Sequence, residues 1–202
     1  MRLFDYLDSG NGYKIRLLCA QLGLRYDWAE IDIMKGESRT PEFLARNPNG
    51  RIPALQLDDG THVFESNAIL WYLAEGSRFV PESRLGRAQA LQWMFFEQYS
   101  HEPYVATPRF LVRHFPAGHA RHAELPARLE KGHAALAVME QHLARHAFFV
   151  DERYGIADIA LYAYTHVAPD GGLMLDAYPA VRAWLARVSE QPGYIGLFAR
   201  PA

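Results

Sequence analysis

A short polar stretch near the start of the chain carries the side chains best suited to chemistry. Ser9, Asn11 and Tyr13 lie in the run Ser-Gly-Asn-Gly-Tyr, directly after an apolar segment. The Ser9 hydroxyl and the Asn11 carboxamide can each donate a hydrogen bond to an anion. Such a bond to a charged partner contributes about 1.5–3 kcal/mol. Ser and Asn are also typical helix N-caps, so the pattern alone leaves capping and donation open.

A second polar pair, Glu65-Ser66, precedes an apolar helical pattern. Ser66 as an N-cap explains its presence completely. Alternatively, a helix N-terminus with a hydroxyl and N–H groups that lack intrahelical partners can bind a carboxylate. Lys35 and Arg51 are cations for which a solvated surface charge is at least as good an explanation as a binding role.

The elements that must position these residues follow from the apolar spacing. The first part of the chain predicts strands and helices in the order βαβ–αββα, which makes a mixed four-stranded sheet with helices on both faces. Asp58-Asp59-Gly60 predicts the hairpin turn. The predicted ranges are 2–7, 13–22, 26–33, 41–46, 52–57, 61–64 and a helix from residue 66.

The rest of the chain is predicted to be all-α. Residues 77–84 are polar, contain Pro81 and are interpreted as a linker. The predicted helices that follow are 85–99, 126–146, 156–167 and 179–190. The helix over 156–167 is apolar on nearly every side, so we expect it to be buried all round. The expected domains are therefore 1–76 and 85–202, joined by the linker.

Composition excludes several classes of function. The net charge is −2 and Lys and Arg are not in excess, which argues against nucleic-acid binding. The His residues are scattered without a Cys partner, so we expect no metal site. The single cysteine, Cys19, forms no intrachain disulfide and is expected to be an inert core residue. With no signal-like start and no apolar run of membrane length, we expect a cytoplasmic location without membrane partners.

Five segments together resemble the cytosolic glutathione S-transferase family over almost the whole chain. They are 9–14, 47–55, 65–69, 155–158, and Tyr178-Pro179 leading to 183–185. The Ser-Gly-Asn-Gly turn is most similar to bacterial members of the theta- and nu-like type, which use Ser, Thr or Asn there. The resemblance implies a thioredoxin-like domain that binds glutathione, followed by a helical bundle that shapes the second substrate's pocket.

The resemblance also implies site roles. Ser9 and Asn11 would stabilise the glutathione thiolate, with Ser9 slightly preferred and Asn11 a close second. The Ile52–Pro53 bond would be cis, with the Ile52 backbone pairing with the cysteinyl part of the ligand, although a trans proline at an edge strand is the alternative from sequence. Asp158 would be a structural staple, weakened because Gly155 stands where the family usually has Ser or Thr at the cap.

For the other end of glutathione, the resemblance implies that Glu65 pairs with the ammonium and that Ser66 holds the neighbouring carboxylate. Arg51 and Lys35 would meet the glycyl carboxylate. The leading hypothesis is a homodimeric detoxification enzyme that transfers glutathione to a small electrophile. The alternatives are glutathione-dependent disulfide or peroxide reduction, and a transferase-like binding module without catalysis.

Overall fold

The computed structural model describes residues 1–200, which form two compact units. The first unit comprises Met1–Ser77 together with the C-terminal segment from Pro192, and the second comprises Arg78–Gln191. The division after Ser77 falls within the predicted linker. The predicted second domain ran to residue 202, whereas the segment from Pro192 groups with the first unit.

The first unit is a mixed α/β domain, as predicted. The sheet order is β2-β1-β3-β4, in which β1 and β2 are parallel and the other two pairings are antiparallel. Two 3-10 turns lie between β2 and α2. The elements are β1 (Arg2–Asp5), α1 (Gly10–Leu22), β2 (Asp27–Glu30), α2 (Pro41–Leu44), β3 (Ala54–Gln56), β4 (His62–Phe64) and α3 (Ser66–Ala74).

Helix α1 packs against α3 and is buried at every position from Gly12 to Cys19, where the apolar spacing predicted one buried face. Its residues Ile15 and Leu18 are fully buried, as is Ile69 of α3. The helix ends where Gly23 adopts a left-handed conformation (φ 66°) and donates its N–H to the Ala20 carbonyl. Glycine takes this conformation without a Cβ penalty, which is why it is the common helix stop.

Side chains of α1 donate hydrogen bonds to backbone carbonyls of the C-terminal segment. The Tyr13 hydroxyl donates to the Ile195 carbonyl at 2.6 Å. Arg16 Nη1 donates to the carbonyl of Leu197 at 2.5 Å and to that of Ala199 at 3.2 Å. Because the acceptors are backbone carbonyls, these bonds could not be predicted from the side-chain pattern of the segment.

The second unit is all-helical, as predicted. Its helices are α4 (Arg84–Phe96), α5 (Glu102–His114), α6 (Leu125–Leu143), α7 (Ile156–Thr165) and α8 (Pro179–Ser189). A π-helical turn, Glu97–His101, joins α4 to α5. Helix α5 was not predicted, because Pro103 and Pro108 interrupt the apolar pattern of this segment. Within the described residues, no helix combines the length and the apolar character needed to cross a membrane.

Helix α7 is buried along its whole length, which confirms the expectation from its apolar composition. Asp158 in its first turn is also buried and accepts three hydrogen bonds. The donors are the backbone N–H groups of Gly155 (3.0 Å) and Phe149 (3.2 Å) and Trp184 Nε1 (2.9 Å). Gly155 has no side chain that could return a bond within this turn, and the bonds from Phe149 and Trp184 reach Asp158 from outside α7.

Asp158 provides a test of stability against pH. Burial raises its pKa from 3.8 to about 7. The native state therefore holds this proton to a higher pH than the unfolded chain does. The stabilisation from this group is complete below about pH 4 and is lost as the pH rises through about 7. We expect Asp158→Asn, which cannot ionise, to remove this fall in the free energy of unfolding.

Urea unfolding of both proteins at steps between pH 4 and pH 8 checks this. The NH₂ group of the introduced Asn side chain would face one of the three N–H donors, which lowers the free energy of unfolding by the same amount at every pH. The informative quantity is therefore how the difference in free energy of unfolding between the two proteins changes with pH. If the free energies of unfolding of the two proteins stay a constant distance apart from pH 4 to pH 8, the pKa of Asp158 is not raised in the folded state.

Candidate functional site

The first predicted site residue, Ser9, occupies the N-cap of α1. Its N–H donates to the Tyr6 carbonyl at 2.8 Å, and its Oγ accepts the N–H of Gly12 at 3.4 Å. Ser9 therefore caps the N-terminus of α1. Accepting this bond uses a lone pair of the hydroxyl and leaves its proton to donate. Ser9 is thus equipped for both roles that the sequence left open.

A buried ion pair lies next to this turn. Arg16 Nε donates to Asp5 Oδ2 at 2.9 Å, and both side chains are fully buried. The other oxygen, Oδ1, accepts the Tyr6 N–H at 2.7 Å, while Arg16 Nη2 donates to the Leu7 carbonyl at 2.7 Å. Burial raises the pKa of Asp5 to about 6, against the opposing effect of Arg16. The pair fixes the backbone that leads from β1 to Ser9.

The N-terminus of α3 differs from the sequence interpretation. The N-cap is Glu65, which makes no side-chain capping bond and has φ 70° and ψ 113°. Ser66 is the first helical residue, so the prediction that Ser66 caps this helix is wrong. The physical reason is that its hydroxyl is engaged with α1: it donates to Asn11 Oδ1 at 3.1 Å and accepts from Lys14 Nζ at 3.1 Å.

The Ser66–Asn11 bond brings the first turns of α1 and α3 together. Both predicted residues are therefore in contact, although they are separated by 55 positions. Each helix N-terminus carries a partial positive charge and N–H groups without intrahelical partners. A region with two such termini favours negatively charged groups, such as a carboxylate and a thiolate.

The loop before β3 presents the Ile52–Pro53 peptide bond, which is cis, as the resemblance implied. Buried Asn47 organises this loop. Its Nδ2 donates to the Arg51 carbonyl at 2.7 Å, and its Oδ1 accepts the Asn49 N–H at 3.0 Å. The Arg51 side chain is exposed.

Lys35 lies on the surface in a 3-10 turn. Its Nζ pairs with Asp32 Oδ2 at 3.0 Å, and its side chain is 76% exposed. The hydrogen bond to Asp32 raises the pKa of Lys35. Asp32 also caps this turn by accepting the Met34 N–H. Lys35 thus takes part in a local surface ion pair, and its binding role stays a prediction.

The sequence and the fold were compared with those of known proteins. Residues 9–75 match the family model described as the N-terminal domain of glutathione S-transferase, and residues 92–192 match that of the C-terminal domain. The chain belongs to the glutathione S-transferase family. A crystal structure of a glutathione S-transferase from Pseudomonas fluorescens Pf-5 is 48% identical, covers 98% of each chain and superposes with a TM-score of 0.96.

Relatives within the glutathione S-transferase family carry different activities. The disulfide-bond oxidoreductase YfcG of Escherichia coli K12 is 32% identical, over 93% of this chain and 89% of its own. A maleylacetoacetate isomerase from Pseudomonas aeruginosa is 30% identical, over 96% and 93%. A glutathione transferase structure from Burkholderia graminis holds two glutathione molecules per subunit; it is 27% identical, covers 95% of this chain and 84% of its own, and has a TM-score of 0.83.

Lys14 and Asn67 belong to this transferase-family site but were not among the predicted site residues. Lys14 is fully buried, and its Nζ donates to Asn67 Oδ1 at 3.4 Å as well as to Ser66. A signal was available, because Lys14 follows Asn11 by three positions and lies on the same side of α1. A buried lysine is rare, and nothing in the residue pattern indicated that Lys14 is buried.

Cys19 of this transferase-family chain lies in the core. Burial raises the pKa of its thiol to about 12. A thiol in that state provides no nucleophile at neutral pH, since the thiolate is the reactive form. Among residues 1–200, no group of three or more His, Cys, Asp or Glu side chains has the geometry to hold a metal ion.

Proposed function

We propose that the chain is a glutathione transferase that stabilises the glutathione thiol as its thiolate, which then attacks a small electrophile. The 3.1 Å bond between Ser66 Oγ and Asn11 Oδ1 carries this proposal. This bond holds the Asn11 side chain, which carries an NH₂ donor, in the first turn of α1 next to the first residue of α3. One anionic end of glutathione would then lie at α3 and its sulfur at α1.

The glutamyl end of glutathione would bind at the start of α3. Its carboxylate would meet the backbone N–H of Ser66 and the other N–H groups in the first turn of α3, and its ammonium would pair with Glu65. Glu65 holds an uncommon backbone conformation, with φ 70°. Such conformations cost about 1–3 kcal/mol and cluster at ligand-binding sites. That observation supports a binding role for this turn.

The cysteinyl part would pair with the backbone of Ile52, in the manner of an added β-strand. The Asn47-organised loop supports this role, because it holds the segment before Pro53 in one shape. The glycyl carboxylate would lie towards the exposed cations Arg51 and Lys35. For Lys35, this contact competes with its ion pair to Asp32.

The expected thiol activation follows from hydrogen-bond energies. One donor to a charged sulfur contributes about 1.5–3 kcal/mol, and about 1.36 kcal/mol corresponds to a pKa change of 1. A thiol of pKa about 8.5 would fall to about 6.5–7.5 and be substantially ionised at pH 7. Ser9 and Asn11 are the proposed donors. The nucleophile is the ligand's own sulfur, since Cys19 is buried with a raised pKa.

A second candidate is glutathione-dependent disulfide reduction at the same site. One glutathione thiolate would attack a disulfide, form a mixed disulfide and release one thiolate. A second glutathione would attack the mixed disulfide, giving glutathione disulfide and the second thiol. The similarity to YfcG, named a disulfide-bond oxidoreductase, favours this candidate. So does the Burkholderia graminis relative, which holds two glutathione molecules per subunit.

We further propose a homodimer that works in detoxification in the cytoplasm. The apolar side chains of Leu91, Phe95 and Tyr99 follow one another at four-residue spacing and are 38%, 70% and 83% exposed. Exposed apolar stripes of this kind support association with another protein surface. The single cysteine fits a reducing compartment. Oligomeric state and location stay proposals.

Calorimetric titration with glutathione tests the proposed site. We expect Glu65→Gln to weaken glutathione binding about tenfold, because it removes a charged partner of the ligand ammonium. The exposed Glu82 provides the matched control, since Glu82→Gln makes the same chemical change outside the proposed site. Equal affinities of the two variants would contradict the placement of the glutamyl end.

Two rate assays on the native protein then separate the candidates. Conjugation of an aromatic halide supports transfer, whereas glutathione disulfide formed from a disulfide substrate supports reduction. Binding of glutathione without either reaction would favour the binding module.

A further inference from the structure

Lys14 connects the two parts of the proposed site. Its side chain is fully buried in the first unit. The ammonium donates to Ser66 Oγ at 3.1 Å and to Asn67 Oδ1 at 3.4 Å, and Ser66 Oγ in turn lies 3.1 Å from Asn11 Oδ1. A continuous polar chain therefore runs from Lys14 through Ser66 to Asn11.

The donor inventory fixes the first step of this chain, and the observed Ser66–Asn11 bond gives the second. An ammonium group donates only, so the Ser66 oxygen must accept from Lys14. A hydroxyl has one proton, which Ser66 then donates to the Asn11 carbonyl oxygen. A charged donor strengthens such a bond and polarises the hydroxyl beyond it.

The consequence for Asn11 is a defined orientation of its carboxamide. Its oxygen accepts from Ser66, so the NH₂ group occupies the other branch of the planar amide and is the branch that donates. With the amide reversed, the Asn11 NH₂ would have to donate to the second lone pair of an oxygen that already accepts from an ammonium, which is less favourable than the observed bond, in which Asn11 Oδ1 accepts the Ser66 proton at 3.1 Å. The chain from Lys14 thus selects the orientation in which Asn11 offers a donor elsewhere.

Lys14 also adds charge at a particular place. Its ammonium contacts Ser66 and Asn67, the first two residues of α3. The helix dipole is positive at that end, so the fold places a cation where cations are disfavoured. An anion bound at this helix terminus would be stabilised by both the helix dipole and the ammonium, and the glutamyl carboxylate in the proposed function is such an anion.

We propose that Lys14 is a positioning residue of the glutathione site, which acts through Ser66 to orient the Asn11 amide towards the glutathione sulfur. This inference rests on the proposed function, since it assigns a task to Asn11 there. Lys14 itself is not proposed to touch the sulfur. Its effect on the thiol passes through the Ser66 hydroxyl and its charge.

The test compares Lys14→Gln with Lys14→Arg, which keeps the charge, and with the exposed Lys131→Gln as a matched control. The side-chain amide signals of Asn11, followed by NMR in the protein without glutathione, are expected to shift in Lys14→Gln and to stay in place in Lys131→Gln. In the presence of glutathione, we expect Lys14→Gln to raise the pKa of the bound thiol by about 1. Because Lys14→Arg keeps the positive charge, we expect it to raise the pKa of the bound thiol less than Lys14→Gln does.

A double-mutant cycle shows whether the effect passes through Ser66. We expect Ser66→Ala to raise the pKa of the bound thiol as Lys14→Gln does, and the double variant to add nothing. A lower melting temperature of Lys14→Gln with unchanged Asn11 signals would show a structural role only and overturn the proposal. Additive effects of the two substitutions would also overturn it.

The ligand-free NMR result keeps this proposal separate from the proposed function. If the native protein leaves the thiol pKa of glutathione unchanged while the Asn11 signals respond to Lys14→Gln, the positioning stands and the proposed function fails. If the native protein lowers the thiol pKa and Lys14→Gln changes neither readout, the proposed function stands and the inference about Lys14 fails.

Discussion

Gly12→Ala is expected to destabilise the first unit by more than about 4 kcal/mol, enough to prevent stable folding. A Cβ at this position would lie 1.5 Å from Asp5 Oδ1 and 2.0 Å from its Cγ. Asp5 has no room to withdraw, because it is buried and bound to Arg16 Nε and the Tyr6 N–H. Helix propensity alone predicts the opposite sign, a gain of about 1 kcal/mol for Ala in a helix. Urea unfolding followed by circular dichroism measures the change.

Two further variants sharpen this experiment. Gly196→Ala is the control, since a Cβ there has no atom within 4 Å and we expect a change below about 0.5 kcal/mol. In an Asp5→Ala background, Gly12→Ala should cost little more, because the clashing carboxylate is gone. A stable Gly12→Ala protein, or the same loss in both backgrounds, would contradict the steric account.

Loss of the proposed thiolate donors should reduce transfer activity about tenfold or more at pH 7. Asn11→Asp separates the parts of the Asn11 side chain: the carboxylate still accepts the Ser66 bond, but it donates nothing to sulfur and repels it. Ser9→Thr keeps both the cap and the hydroxyl, whereas Ser9→Ala removes both. The expected loss corresponds to about 1.5–3 kcal/mol for each donor. The measurement is kcat/KM for glutathione between pH 6 and pH 9.

The pH profile distinguishes this effect from general damage to the site. A raised thiol pKa lowers the rate at low pH, and the rates of variant and native protein should converge at pH 9, where the free thiol ionises by itself. A loss that is equal at every pH would indicate misplacement of the ligand. An Asn11→Asp variant with native rates would remove Asn11 from the mechanism and leave Ser9 as the donor.

The sheet and most helices could be predicted because local patterns determine them. Apolar spacing predicted α1 and α7, and the Asp58-Asp59-Gly60 turn predicted the hairpin of β3 and β4. The predictions extended strands beyond their observed ends: residues 2–7 were expected where β1 covers Arg2–Asp5. The reason is that Tyr6 and Leu7 continue the apolar pattern, while the hydrogen bonds at the end of β1 belong to the turn.

The errors share a physical origin in contacts between distant positions. Ser66 was interpreted as a cap because Ser precedes an apolar helix, but its hydroxyl is engaged by Lys14, 52 positions away. The bond from Trp184 to Asp158, which spans 26 positions, was likewise not foreseen. The attachment of the C-terminal segment to α1 depends on Arg16 reaching backbone carbonyls, which leave no trace in side-chain patterns.

The candidate site could be located from the sequence only in part. Residue types and motif resemblance together selected Ser9, Asn11, Ile52, Glu65 and Ser66. The structure joins Asn11 to Ser66 directly. Their roles towards glutathione stay proposals. The buried Lys14 was not selected, since hydropathy places a lysine on the surface and only the fold shows it inside.

The most direct test of the central claim is an ultraviolet titration of glutathione bound to the native protein, following the thiolate absorption against pH. The account predicts that the bound thiol has a pKa about 1–2 below that of the free ligand, from one charge-assisted donor together with the helix N-terminus. A bound thiol that titrates like free glutathione would contradict thiolate stabilisation and favour a protein that binds glutathione without activating it.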